Sequence, residues 1–206
     1  MKKIICLLGK SCAGKDTAVL KVQEMLEKEK NINNVFRLHT KKTFKKAISY
    51  TTRPKRENEI DGIDYHFVSL EKFEEIRKTV GFIEETYYKV NDEVWHYGFS
   101  KDEFDENTTY IMVANPRGLE AFLHSNLKKY IEPILLDCNL DERKKRYFQR
   151  DKSNNSLEKQ WEARVKQDEE DFKDVFNLLI KFKCFSMLDT KTLTKEEVAD
   201  YIIGLL

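Results

Sequence analysis

The chain has 206 residues, enough for one compact domain with a core and a small inserted lobe but not for a multidomain array. Lys and Arg number 37 against 36 for Asp and Glu, so a net charge of +1 offers no global field for DNA, RNA or an anionic bilayer, and any anion affinity must be local. Four cysteines without C-x-x-C spacing and four histidines without helix-spaced pairing argue against a zinc site or a disulfide framework.

The opening MKKIICLLGKSC has the look of a leader peptide, but its apolar run, Ile4 to Leu8, is too short for one and is followed by Lys10. It reads as a buried strand. No later apolar run is long enough to cross a bilayer, so the expectation is a soluble protein of a reducing compartment, the cytoplasm. After the strand come glycine-bearing polar residues, then a helix-periodic stretch from Thr17 carrying Ala18, Val19, Val22, Met25 and Leu26. The polar connection, Gly9-Lys-Ser11-Cys12-Ala13-Gly14-Lys15-Asp16-Thr17, fits G-x-x-x-x-G-K in the strand-loop-helix setting such a loop needs. Glycines let successive main-chain N–H groups converge on phosphate oxygens, the helix N-terminus adds partial positive charge, and Lys15 reaches the β and γ phosphates. Ser11 through Thr17 are therefore the expected ATP phosphate site. The residue after the lysine is Asp16 rather than a hydroxyl residue, so magnesium is expected on Thr17, or on Asp16 through water.

Between Ser49 and Ser100 the texture changes to short segments rich in aromatic and β-branched residues, at Asp64–Val68, Phe82–Tyr88 and Val94–Tyr97. This predicts a small α+β lobe, residues 49–100, inserted into a core formed by 1–48 and 101–206. Tyr110–Val113 and Ile131–Leu136 are two further apolar runs, each leading into a helix-periodic segment with Pro116, and Asn139 or Asp141, at the helix starts. The alternation predicts an α/β fold with a parallel sheet and crossover helices. Arg150 to Ser156 has no apolar residue and reads as a loop within a lid at about 150–163; Lys195–Leu206 reads as a helix covering one sheet face.

Arg53 and Arg56 stand three residues apart around Pro54, two planar donor forks suited to a phosphate monoester, with Ser49 and Tyr65 as neutral donors. The run Ser49-Tyr-Thr-Thr-Arg53-Pro-Lys-Arg56, then Glu59, Gly62 and Asp64-Tyr65-His-Phe, together with the phosphate loop, resembles the guanylate kinase family as far as about Arg164. The resemblance implies a P-loop kinase with an acceptor lobe and a lid, using ATP and magnesium to phosphorylate a nucleoside monophosphate, GMP or dGMP first. It also implies that Glu84 reads the guanine N1–H and 2-amino groups, and that Tyr97 bonds the acceptor phosphate. Arg146 and Arg150, four apart on one helix face, and Arg164 match the family's lid arginines; with Lys15 and Arg53 they form the expected catalytic set.

The chain departs from the family at several points. Phe99, followed by Ser100, replaces a hydroxyl residue that touches the base, so either Ser100 reaches in or base reading is altered. Val113-Ala-Asn115 replaces an acidic strand end, which leaves Asn115 to bond the acceptor nucleotide and suggests that Asp16 supplies the missing carboxylate. The adenine site falls near Ser186–Thr190, where only Asp189-Thr190 stands for an Asn-Asp pair. The Gly-Lys-Asp loop is also similar to ribose bisphosphate phosphokinases, so a kinase of another monophosphate or a ribose bisphosphate is one alternative. A non-catalytic guanylate-kinase-like binding module is the other. Oligomeric state is not readable from the sequence.

Overall fold

The computed structural model describes residues 3–36, 43–57, 59–90, 93–150, 157–183 and 185–206. Strand β1 (Ile4–Leu8) leads into α1 (Lys15–Phe36), and β2 (Lys45–Lys46) closes the first core segment. The lobe holds β3 (Tyr50–Thr51), β4 (His66–Phe67), α2 (Leu70–Thr79), β5 (Phe82–Val90) and β6 (Glu93–Ser100). The core resumes with β7 (Tyr110–Val113), α3 (Pro116–Phe122), β8 (Ile131–Asp137), α4 (Leu140–Arg150), α5 (Leu157–Phe172), α6 (Val175–Leu179), β9 (Ser186–Asp189) and α7 (Lys195–Leu205).

The core strands form one sheet in the order β2-β7-β1-β8-β9, every pairing parallel. A central parallel strand is covered on both faces, which is why β1 is an unbroken apolar run rather than an alternating one. Ile4, Cys6 and Leu8 point to the layer containing α3 and α6, among Leu119, Phe122, Leu178 and Leu179. Ile5 and Leu7 point to the opposite layer, among Val19 and Val22 of α1 and Val198, Ala199 and Ile202 of α7. The closing helix thus covers a sheet face as its periodicity predicts. It starts at a capping box in which the Thr194 hydroxyl accepts from the Glu197 amide and the Glu197 carboxylate accepts from the Thr194 amide.

The lobe is a second sheet in the order β4-β3-β6-β5, with β5 and β6 antiparallel and α2 packed beside them. Its small core is aromatic. Phe73 of α2 stacks on Phe82 with ring centroids 4.4 Å apart, and His96 lies 5.5 Å from Phe73. Ser69 caps α2, accepting from the Lys72 amide. Helix α4 extends through Arg150, the first residue of the expected loop, and α5 begins at Leu157, directly after its last. Residues 151–156, and the side chain of Arg150, lie outside the described residues.

Candidate active site

The connection from β1 to α1 is built around main-chain geometry. A Cβ on Gly9 would stand 2.6 Å from the Leu136 carbonyl oxygen on neighbouring β8, so a side chain there would force the loop off the sheet. Gly14 lies at φ +100°, where L residues are strained, and Cys12 is left-handed at φ +62°. Between them the Ala13 amide donates to the Lys10 carbonyl at 3.0 Å. Helix α1 begins at Lys15, two residues before the periodic stretch starting at Thr17, because glycine and charged residues hide the first turn from an apolar pattern. The half-buried Lys15 donates through Nζ to the carbonyls of Gly9 at 2.6 Å and Lys10 at 3.3 Å. Lost solvation holds its pKa below the usual lysine value, although the carboxylates of Asp16 and Asp168 work to keep it charged. Asp16 and Thr17 are exposed in the first turn of α1.

Arg146 approaches the same loop from α4. Its Nη1 lies 3.4 Å from the Cys12 carbonyl, its Nη2 donates to the Thr190 carbonyl at 2.6 Å, and Nε pairs with Glu142 at 3.0 Å. The Thr190 hydroxyl in turn donates to the Ala13 carbonyl at 2.8 Å. The end of β9, expected near the adenine, is therefore tied to the phosphate loop and to a predicted lid arginine at once. Arg164 on α5 lies over the buried Tyr147 ring, 5.7 Å from its centroid.

In the lobe, Arg53 is 5% exposed and forms a two-pronged pair with Glu59, at 2.8 and 2.7 Å. Its guanidinium also lies over the rings of Tyr65 and Phe67, at 5.2 and 5.4 Å. Burial works against the charges of both partners, but the pairing outweighs it: the arginine pKa ends above its usual value and that of Glu59 below. Arg56 remains exposed, with its amide donating to Glu59 at 2.8 Å. Tyr97 stands edge-on to Tyr65 at 6.0 Å and to Tyr88 at 5.6 Å. Burial pushes the Tyr65 phenol up to about 12, and the negative charge of the Asp16 carboxylate adds to the rise. Ser49 is half-buried, and its carbonyl accepts from the His66 amide at 3.0 Å.

Glu84 is 8% exposed on β5, its carboxylate bonded by the Thr86 hydroxyl and lying 3.5 Å from where a Cβ on Gly118 would stand. Burial raises its pKa above the carboxylate range, neighbouring Glu85 adds to this, and bonds from Thr86 and the Phe99 backbone work the other way. Asn115 caps α3 by accepting from the Gly118 amide at 2.7 Å, and its Nδ2 donates to the Tyr88 hydroxyl at 2.6 Å. At the end of β6, Ser100 is the one of the two residues that has a hydroxyl, and it is buried. Phe99 is buried among Phe104 and Phe122, and the Ser100 hydroxyl bonds Asp102. Tyr88, Arg143 and Asp168 were not singled out from the sequence. Among the described residues, no group of three or more His, Cys, Asp or Glu side chains could hold a metal ion.

A five-stranded parallel sheet with a G-x-x-x-x-G-K loop at the end of its central strand defines the P-loop α/β class. A family profile described as guanylate kinase matches residues 1–110, more than half of the chain. The chain belongs to the guanylate kinase family. A guanylate kinase from Chlorobium luteolum is 32% identical over 99 residues, 44% of this chain and 48% of that protein. One from Streptococcus pyogenes serotype M3 is 36% identical over 80 residues, 39% of this chain and 33% of that protein. The chain thus spans between a third and a half of the length of these curated relatives. The crystal structure of guanylate kinase from Anaplasma phagocytophilum superposes with a TM-score of 0.63 at 19% identity, covering 99% of this chain and 84% of that one, a likeness of fold.

Proposed function

We propose that this chain transfers the γ-phosphoryl group of ATP to a nucleoside monophosphate, with GMP or dGMP the first choice of acceptor. The observation that carries this reading is the convergence of Lys15, Arg146 and Thr190 on one glycine-bearing loop, with Arg53, Tyr65 and Tyr97 gathered in the lobe. Phosphoryl transfer asks little covalent chemistry of a protein; it needs donor and acceptor in line and positive charge around the moving group. In this reading the loop amides and Lys15 take the triphosphate, and Arg146 supplies charge beside it. Arg53, Arg56, Ser49, Tyr65 and Tyr97 hold the acceptor phosphate, and Glu84 meets the base. Arg150 and Arg164 complete the arginine set, and Asn115 acts on the acceptor side through the Tyr88 hydroxyl. Arg53 enters already oriented by Glu59, so little side-chain entropy is lost when a phosphate arrives.

The exposed oxygens of Asp16 and Thr17 are hard donors suited to magnesium, an ion bound through one or two protein oxygens together with substrate phosphates. Bound there, the ion would neutralise charge on the β and γ phosphates. Asp16→Ser tests its share. A loss of activity that added magnesium partly restores is expected; full activity with unchanged magnesium dependence would remove Asp16 from the metal site.

The acceptor class is decided by coupled assay of ADP formation against a panel of nucleoside monophosphates and ribose bisphosphate. GMP or dGMP is expected to lead by at least about a hundredfold in kcat/KM, since a site built for polar base groups rejects bases lacking them. No GMP or dGMP preference would favour the second reading, a kinase for a different acceptor, which rests on Phe99 and Asn115 and on the Ser100 hydroxyl being bonded to Asp102.

A further inference from the structure

We infer that the buried Arg143–Asp168 pair is the positioning device of the phosphate loop, fixing Ser11 so that the amides beyond it are aimed at ATP. This rests on the kinase reading above. Asp168 comes from α5 and Arg143 from α4, and the two side chains meet beneath the loop with Arg143 Nη1 donating to Asp168 Oδ2 at 2.9 Å. Arg143 is 2% exposed and Asp168 8%. Asp168 then accepts from the Ser11 amide at 2.9 Å and from the Ser11 hydroxyl at 3.1 Å, while Arg143 Nη1 lies 3.4 Å from the Ser11 carbonyl. Every polar group of Ser11 is thereby held by two side chains distant in sequence. The next residue, Cys12, takes the left-handed turn that reverses the loop.

A buried ion pair is a poor source of net stability, since desolvation offsets most of its Coulomb attraction. Here the cost is visible. Arg143 Nε is buried without a hydrogen-bond partner, and the guanidinium lies 5.8 Å from the Trp161 ring centroid. What the pair does supply is direction: a carboxylate fixed by a buried guanidinium has one place to accept from, and Ser11 occupies it. Glycines allow the loop to turn, and this pair selects the turn it takes.

The test separates positioning from bracing. Asp168→Ala alone strands a buried cation and should lower the melting temperature, whatever the pair's role. Arg143→Leu with Asp168→Leu removes both charges, so the fold is expected to hold. ATP affinity, measured by calorimetry with magnesium present, should still fall about tenfold or more, because small misplacements of binding groups are costly. The KM for the monophosphate should stay unchanged. A double variant that binds ATP as well as wild type overturns the inference. Should that protein not fold, Asp168→Asn carries the test. Its neutral amide leaves Ser11 a weaker acceptor, so a several-fold loss of ATP affinity is expected, and unchanged affinity overturns the inference. Wild-type protein that fails to bind ATP would instead remove the kinase reading, and this inference with it.

Discussion

Replacing Lys15 with alanine is expected to lower turnover about a thousandfold, the scale seen when a preorganised donor to a developing charge is deleted. The side chain is the one charged group that the loop itself places inside its own curve, where its ammonium bridges the Gly9 and Lys10 carbonyls at 2.6 and 3.3 Å. Held there, it would meet the β and γ phosphates of the proposed donor without having to be ordered at the moment of reaction. The stability effect should be small by comparison. The variant loses two hydrogen bonds to main-chain oxygens, but it also relieves the desolvation that depresses the lysine pKa, and the two changes oppose each other. A melting temperature within a few degrees of wild type, alongside the collapse of ADP formation, is the expected pair of results. Turnover within tenfold of wild type would show that the loop does not carry the triphosphate.

How far such a site can be read from sequence depends on what each residue signals locally. β1 announces itself because a strand buried on both faces must be apolar throughout, and the loop after it because the glycines and lysine have few other reasons to share that spacing. β2 and β3 are two residues each and carry no periodicity to detect. Arg143 and Asp168 escape notice for another reason. They sit in the charged runs Glu142-Arg-Lys-Lys-Arg146 and Gln167-Asp-Glu-Glu-Asp171, which look like solvated helix faces. The signal is in the register: Trp161, Asp168 and Phe172 are the buried residues of α5, and Arg143 shares the buried side of α4 with Tyr147. A single acid on one buried stripe and a single base on the next is a pair waiting to be matched, but only once both helices are known to flank the same loop. Asn115 likewise reads as a donor toward ligand, whereas a residue opening a helix is first needed by the amides of that helix.

The base-reading role proposed for Glu84 yields the second large effect. As a carboxylate it can accept from both the N1–H and the 2-amino group of guanine; glutamine in its place turns a donor toward one of them. Each hydrogen bond to a charged group contributes about 1.5–3 kcal/mol, so the one lost in Glu84→Gln should cost GMP roughly 10- to 100-fold in kcat/KM. Monophosphates whose bases lack that donor pair should change far less, so the preference narrows rather than all activity being lost. The same site should respond to acid. Burial sets the Glu84 pKa above that of an ordinary carboxylate, and protonation replaces an acceptor with a donor. The affinity for GMP is therefore present when the pH is above that raised pKa and is lost as the pH falls through it, earlier than an exposed glutamate would allow. In Glu84→Gln that acid limb of the KM profile should disappear. A wild-type acceptor KM that stays flat from neutral pH down through the raised range, or a glutamine variant with undiminished preference for GMP, would place guanine recognition elsewhere.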